Sequence, residues 1–450
     1  MVVACLVVFY PILSNDFLYY WDDQWQVMNQ YTEGGFNLNN LRYIFSEFFH
    51  GQYSPVNQLM YLIIYCTSGY NPFAFHLTSL LLHAGNACLA YIIIIRIFSQ
   101  TNRITTNVEE KRISLHSELD SPIHKRTIPI KHVSIAFITA LLFAIHPMNV
   151  EAVAWISASK ILVFAFFYLT ATYVWLVYLD RAKILYYIVT LLLFALSFGG
   201  KEQAVTFPVW LLMLHWLLGR SFKNRKVWIE VAPFFVMAIT FCIITFISHN
   251  SSFSNILSSD ENYPLWQRFI FGCFSLFEYF AKFIFPYKLL YIYPFPITTG
   301  EPVPEWMLLY PVLLIIVIIA SWKYLSGKPI AVGLVFFLIH IALVLHIIPL
   351  SRFAIIADRY IYMSSIGLSF IIGYYTIWII TSRKRFVRNT VTVLFVSIVL
   401  YLGIYSNLRS CEWKDSDSIK KELRELIRQH ADFNSVEFEK LKNEENKLSN

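Results

Sequence analysis

The chain has 450 residues, of which 57% are apolar, 18% aromatic and only 14% charged, with a net charge of +7. Water-soluble domains carry roughly 25% charged residues, so this balance excludes an ordinary soluble globule. The basic residues cluster in short connections between apolar runs, a pattern that reports membrane topology and argues against nucleic acid as a partner.

In chain order, apolar runs fall near 1–13, 76–98, 133–146, 161–179, 184–198, 204–218, 227–248, 307–322, 329–350, 360–380 and 389–408. A helix of about 20 apolar residues crosses roughly 30 Å of hydrocarbon, so an all-α polytopic membrane protein with about eleven transmembrane helices is predicted. The opening "MVVACLVVFYPIL" has no basic leader and no small-residue cleavage site, and reads as a short first span rather than a removed signal peptide. Connections 99–132, 180–183, 219–226, 323–328 and 381–388 carry the Lys and Arg. Placing them in the cytoplasm puts the N-terminus inside and turns the aspartate-bearing loops outward.

Two segments depart from the spanning pattern. Residues 266–288 are apolar enough to cross, yet a twelfth span there would carry the basic 323–328 connection outward. They also hold Arg268, Glu278 and Lys282, and read as an interfacial or re-entrant helix. Residues 56–66 are too few to span and are expected along the outer surface, so the large first outward loop contains interfacial helices. The composition turns charged after 408, which divides the chain into a membrane domain, 1–408, and a short soluble helical tail, 409–450, on the outer face. Cys5, Cys66, Cys88, Cys242, Cys273 and Cys411 show no metal spacing and read mostly as small packing residues; only Cys66 and Cys411 could meet outside the membrane.

Charge at a membrane boundary is costly, so clusters of it on one side are candidates for function. In "YYWDDQWQV", Asp22 and Asp23 offer a general base, a metal ligand or both, against the simpler alternative of a solvated turn flanked by interfacial Trp21 and Trp25. His146 and Glu151 flank a proline at a span exit, where a polar helix end is an equal reading. His76 and His83 share a helix face and suit interhelical hydrogen bonds better than metal binding. Lys201 with Glu202, and Asp358 with Arg359 beside Tyr360, could be local boundary pairs. However, Lys201, Arg352 and Arg359 are basic residues on the outward side, against the usual bias, and so call for an anionic partner such as a lipid-linked phosphate.

The stretches "YYWDDQWQV", "SPVNQLMYLIIYC", "HPMNVEAVAWISASK", "GGKEQAVTFP" and "ADRYIYMSSIGL" stand in the order and spacing of one family. Over about residues 10–415 the chain resembles the membrane domain of the transmembrane and tetratricopeptide-repeat protein O-mannosyltransferases, within the GT-C glycosyltransferase superfamily. The resemblance implies a GT-C fold, with Asp22 and Asp23 as base or metal ligand. It implies His146, Glu151 and Trp155 at the sugar and acceptor site, and Lys201 and Arg359 at the donor phosphate; Glu202, Trp21, Trp25, Asp358 and Tyr360 join the candidates for the sugar and acceptor site, and Arg352 those for the phosphate. It implies inverting transfer of one sugar, mannose in the family, from a polyprenyl-phosphate donor to a hydroxyl of a protein or glycolipid acceptor. No cofactor follows with certainty, and a divalent metal at Asp22 and Asp23 stays open.

Two departures stand out. "ASKIL", Ala158 to Leu162, replaces a Gly-Arg-Lys-Asp-Leu-like run, and the tail is too short for the three or more repeats that a helical array needs. Without that array a bacterial inner membrane with a periplasmic site is the expected location, the endoplasmic reticulum with a lumenal site being the alternative. A lipid transporter and a non-enzymatic scaffold are the competing classes. Transport is disfavoured because the charges gather at one surface and the two halves do not match.

Overall fold

The computed structural model of the chain describes residues 1–19, 21–113, 129–253, 263–297, 300–325, 328–347, 354–382 and 384–419. Among these the protein is all-helical, with no strand beyond two isolated bridges. Arg352 and the tail from 420 onward lie outside the described residues.

The segment between α1 and the first long helix is built from capped short helices. After α1 (Val2–Phe9) and a 3₁₀ turn come α2 (Asp23–Gln26), α3 (Gln30–Glu33), α4 (Leu38–Ser46) and α5 (Pro55–Ser68). Asn29 accepts from the amides of Tyr31 and Thr32, and Asn37 from that of Asn40, so each satisfies donors that a helix start leaves orphaned. Pro55 opens α5, and Gly69, at a φ of 60°, lets the chain turn out of it.

The rest of the chain follows as α6 (Pro72–Ile113), α7 (Ile130–Ile145), α8 (Val150–Ala154), α9 (Lys160–Arg181), α10 (Ile184–Phe198), α11 (Phe207–Leu217), α12 (Arg225–Phe253), α13 (Leu265–Ile284), α14 (Leu309–Leu325), α15 (Lys328–Ile341), α16 (Ser365–Ser382) and α17 (Arg385–Glu412). Among the described residues, four helical stretches are long and apolar enough to cross a membrane: Pro72–Asn102, Ile156–Arg181, Arg225–Ser248 and Arg385–Glu412. A fifth forms if Ile130–Ile145 and Pro147–Ala154 act together across their 55° bend. That bend falls at His146, whose extended backbone is what a residue before proline prefers. Five further apolar helices are shorter.

Helix α9 is the central pillar, with 67% of its most apolar window buried, whereas α17 buries 11% and turns its side chains outward. Phe164, Tyr168, Trp175 and Leu176 of α9 anchor the main hydrophobic cluster, against which α6, α10 and α11 pack. Helix α13 is amphipathic. It buries Ile270, Phe271, Tyr279 and Phe283 while exposing Trp266, Phe269 and Phe280, and is not among the helices apolar enough to span. All six cysteines are free thiols.

The sharp boundary expected at 408 is not where packing ends. Helix α17 runs on to Glu412, Arg409 and Trp413 are buried, and Ile419 closes the described chain with 1% exposure. Residues 409–419 therefore belong to the packed body, because Arg409 bonds Asp358 and Trp413 packs on Trp155 and Tyr291.

Helices α15 and α16 cross at two glycines. A Cβ on Gly367 would run into the carbonyl oxygen of Gly333 and lie 3.0 Å from the amide nitrogen of Phe337, the kind of close backbone approach that small residues permit. Gly367→Ala is expected to cost about 1–3 kcal/mol by overpacking, read as a lower melting temperature in detergent. Gly403→Ala serves as the control, since its Cβ meets only Val8, at 3.6 Å.

Candidate active site

The two aspartates separate in the structure. Asp23 is fully buried and satisfied: its Oδ2 accepts from the Leu18 amide at 2.8 Å, and its Oδ1 accepts from the Ser157 amide at 3.0 Å and from the Ser157 hydroxyl. It clamps the first loop onto the turn that follows α8. Burial raises its pKa to about 6, opposed by the hydroxyl and amide donors. Asp22 stands one residue earlier, at the N-cap of α2, and is only partly covered. Burial raises its pKa above the ordinary 3.8, against the pull of Lys160 and Arg359. The clamp thus leaves Asp22 as the carboxylate that faces the basic side of the site.

That basic side is built on Glu151, 1% exposed on α8. Its Oε2 accepts from the Arg359 amide at 2.7 Å and its Oε1 pairs with the Arg359 guanidinium. The guanidinium carbon lies 4.8 Å from the Tyr360 ring centre and 5.1 Å from that of Trp155, distances that suit cation–π attraction. Lys201, 7% exposed, sets its Nζ 5.4 Å from the same Tyr360 ring and 3.9 Å from the Glu202 carboxylate. Trp21 meets Trp155 edge-on at 6.4 Å. Asp22, Glu151, Trp155, Lys201, Arg359, Tyr360 and Trp21 are thereby gathered at one place, with Glu202 at its rim.

Other expected site residues serve elsewhere. His146 is stacked on Phe283 at 4.3 Å, its Nε2 is 2.9 Å from the Phe283 carbonyl oxygen, and its Nδ1 accepts from the Met148 amide. Those contacts make it a capped helix end. Asp358 points away from Arg359: its Oδ1 accepts from the Tyr293 hydroxyl at 2.9 Å and its Oδ2 from Arg409 at 3.1 Å. Trp25, 4.7 Å from the His50 ring, is the exception, because its side chain hydrogen-bonds Asp22 and so belongs with the site. His83 bridges Tyr362 and the Ala144 carbonyl between helices, and among the described residues no group of three or more His, Cys, Asp or Glu could hold a metal ion. With both Asp23 oxygens engaged in the clamp, this donor set does not fit a divalent metal.

Several residues of the site escaped the sequence reasoning. Lys160, at the start of α9, donates to Gln52 Oε1 at 2.7 Å, which also accepts from Gln26 at 2.9 Å, and it acts electrostatically on Asp22. The signal for it was present: Lys160 is a basic residue in an outward loop, as Lys201 is. Arg409, which opens the tail expected on the outer face, carried the same mark, whereas Ser157 and Trp413 carried none. No family model matches the chain, and no curated protein or solved structure matches it.

The split between clamp and facing carboxylate is testable. Asp23→Asn leaves a buried amide donor unmatched, because the Asn side chain cannot accept on both sides. A loss of about 1–3 kcal/mol in stability is expected, seen as earlier unfolding in detergent, whereas Asp22→Asn should unfold within a degree or so of wild type. Equal destabilisation by both substitutions would contradict the assignment.

Proposed function

We propose that the chain is a GT-C-type membrane glycosyltransferase with about eleven spans. It would move a single sugar, mannose by its resemblance to the O-mannosyltransferases, from a polyprenyl-phosphate donor to a hydroxyl. The acceptor class is a serine or threonine of an exported protein, at a site facing the periplasm of a bacterial inner membrane. The observation that carries this reading is the placing of Arg359 and Lys201 against one tyrosine ring, with Lys160 and Asp22 facing them. A cation cluster on the side opposite the basic loops suits an anionic ligand held at the membrane surface.

Further features support a lipid-linked anion. An apolar cavity of about 190 Å³ lies between helices, lined by Leu169, Trp210, Phe336, Ile366 and Phe370 among others. Helix α11 follows Lys201 and α16 follows Arg359, and both line this cavity. Ile366 lines it at the start of α16, the helix that follows the turn carrying Arg359, which suits a prenyl chain running on from its phosphate. The buried indole N–H of Trp155 has no hydrogen-bond partner among the described residues, so it can donate to a sugar or phosphate oxygen.

In the mechanism, Asp22 accepts the proton of the acceptor hydroxyl as the oxygen attacks the anomeric carbon in line. The bond from that carbon to the phosphate oxygen breaks, and the lipid phosphate leaves with the electron pair. Arg359, Lys201 and Lys160 balance the charge that develops on it, the electrostatic contribution that usually dominates such barriers. Glu151 holds the Arg359 guanidinium in place, and the Asp23 clamp holds Asp22.

A transfer assay with purified protein and polyprenyl-phosphate-mannose tests the reading. Asp22→Asn is expected to lower kcat by about 10²–10⁴-fold, the usual contribution of a general base. Because Asp22 must be ionised and its pKa is raised, wild-type activity should fall on acidification through a point above the ordinary carboxylate value of 3.8. The residual activity of Asp22→Asn should lack that limb. Wild-type turnover by Asp22→Asn would overturn the assignment of the base.

A further inference from the structure

The chain leaving α17 is locked into the site. Trp413 is fully buried, its ring stacked 5.9 Å from Trp155 with a 23° interplanar angle and 4.8 Å edge-on from Tyr291. Trp155 in turn carries the Arg359 guanidinium, 5.1 Å from its ring centre. On the other side, Asn15 Nδ2 donates to the carbonyls of Ser410 at 3.1 Å and Trp413 at 3.0 Å, and the Asp16 amide donates to the Lys414 carbonyl at 2.8 Å. Asn15 and Asp16 belong to the stretch that leads directly into Asp22. One segment of backbone is therefore laced to the carboxylate side of the site and stacked against the cation side.

None of the proposed chemistry uses Trp413, yet it is among the largest fully buried side chains of the protein. Its rigid, flat ring fixes the spacing of what it touches, with little rotamer freedom to lose. One turn earlier, Arg409 bonds Asp358 and the carbonyls of Leu289 and Leu290, so the segment is anchored at both ends of the contact. We propose that Trp413 is a positioning residue that sets Arg359 relative to Asp22 by bracing Trp155. It does not touch the donor; it acts through Trp155 and the guanidinium. This inference rests on the reading of Arg359 as the donor-phosphate contact.

The test measures binding of a short-chain polyprenyl phosphate to full-length protein in detergent by calorimetry, with melting temperature recorded on the same samples. Trp413→Ala is expected to weaken binding roughly tenfold or more, while Trp413→Phe, which keeps a flat ring, stays within about threefold of wild type. In an Arg359→Lys background, Trp413→Ala should add less than about threefold, because both substitutions disturb one interaction. A space-filling role predicts instead a lower melting temperature with unchanged affinity, or effects of Trp413→Ala and Arg359→Lys that multiply, and either result overturns the proposal. If Trp413→Ala does not fold, Asn15→Ala, which removes the two side-chain bonds to this segment, carries the same comparison: weakened binding supports the brace and unchanged binding overturns it. A folded wild-type protein that binds no polyprenyl phosphate overturns the phosphate reading itself, and the brace with it.

Discussion

Two ion pairs, made by neighbouring residues and pointing opposite ways, hold one end of this protein together. Asp358 turns to Arg409 at the end of α17, and Arg359 turns to Glu151 on α8. Asp358, Arg409 and Glu151 are each 1% exposed. Leaving any one of them without its partner would strand a charge in a dry interior, at about 3–5 kcal/mol. The four residues come from three separate parts of the chain, so forming both pairs sets the start of α16, the end of α17 and the kinked α7–α8 pair relative to one another. The same requirement explains why 409–419 packs with the membrane helices despite its charged composition.

On this frame the site divides its polar groups between holding and facing. Asp23, Asp358 and His146 hold: each has its hydrogen-bonding capacity taken up by named partners in adjoining loops. Asp22, Lys160, Lys201 and the outer part of Arg359 face the site. Glu151 and Trp155 stand between, orienting the guanidinium by charge and by its ring. A site of this kind needs few mobile parts, because the elements that carry it, short 3₁₀ turns and the four- and five-residue helices, are fixed by side-chain bonds rather than by their own length.

Much of this was legible in the sequence, for identifiable reasons. Hydropathy marked where the apolar helices lie, since a helix in lipid must satisfy its backbone internally and cover itself with apolar side chains. The placing of Lys and Arg in alternate connections is the ground on which Asp22, Glu151, Lys201 and Arg359 were expected to share one side. The order of five loop stretches then grouped those residues, and the structure brings most of them within contact. Partner identity was not legible. Asp23 meets Ser157 across 134 residues and Arg359 meets Glu151 across 208, and no periodicity encodes such pairings. The alternative first entertained for His146, a polar helix end stopped by proline, is the role it plays. Lys160 is hard to pick out in the sequence because its partners, Gln52 and Asp22, lie more than a hundred residues away.

The most direct test is an experimental structure with a polyprenyl-phosphate-linked sugar bound. It should show the phosphate oxygens within hydrogen-bonding reach of Arg359 and Lys201, with the prenyl chain between α11 and α16. Asp22 should face the anomeric carbon from the acceptor side, and Asp23 should remain bonded to Ser157. A phosphate bound away from Arg359, or an Asp23 released from Ser157 to contact the sugar, would contradict the division between holding and facing residues.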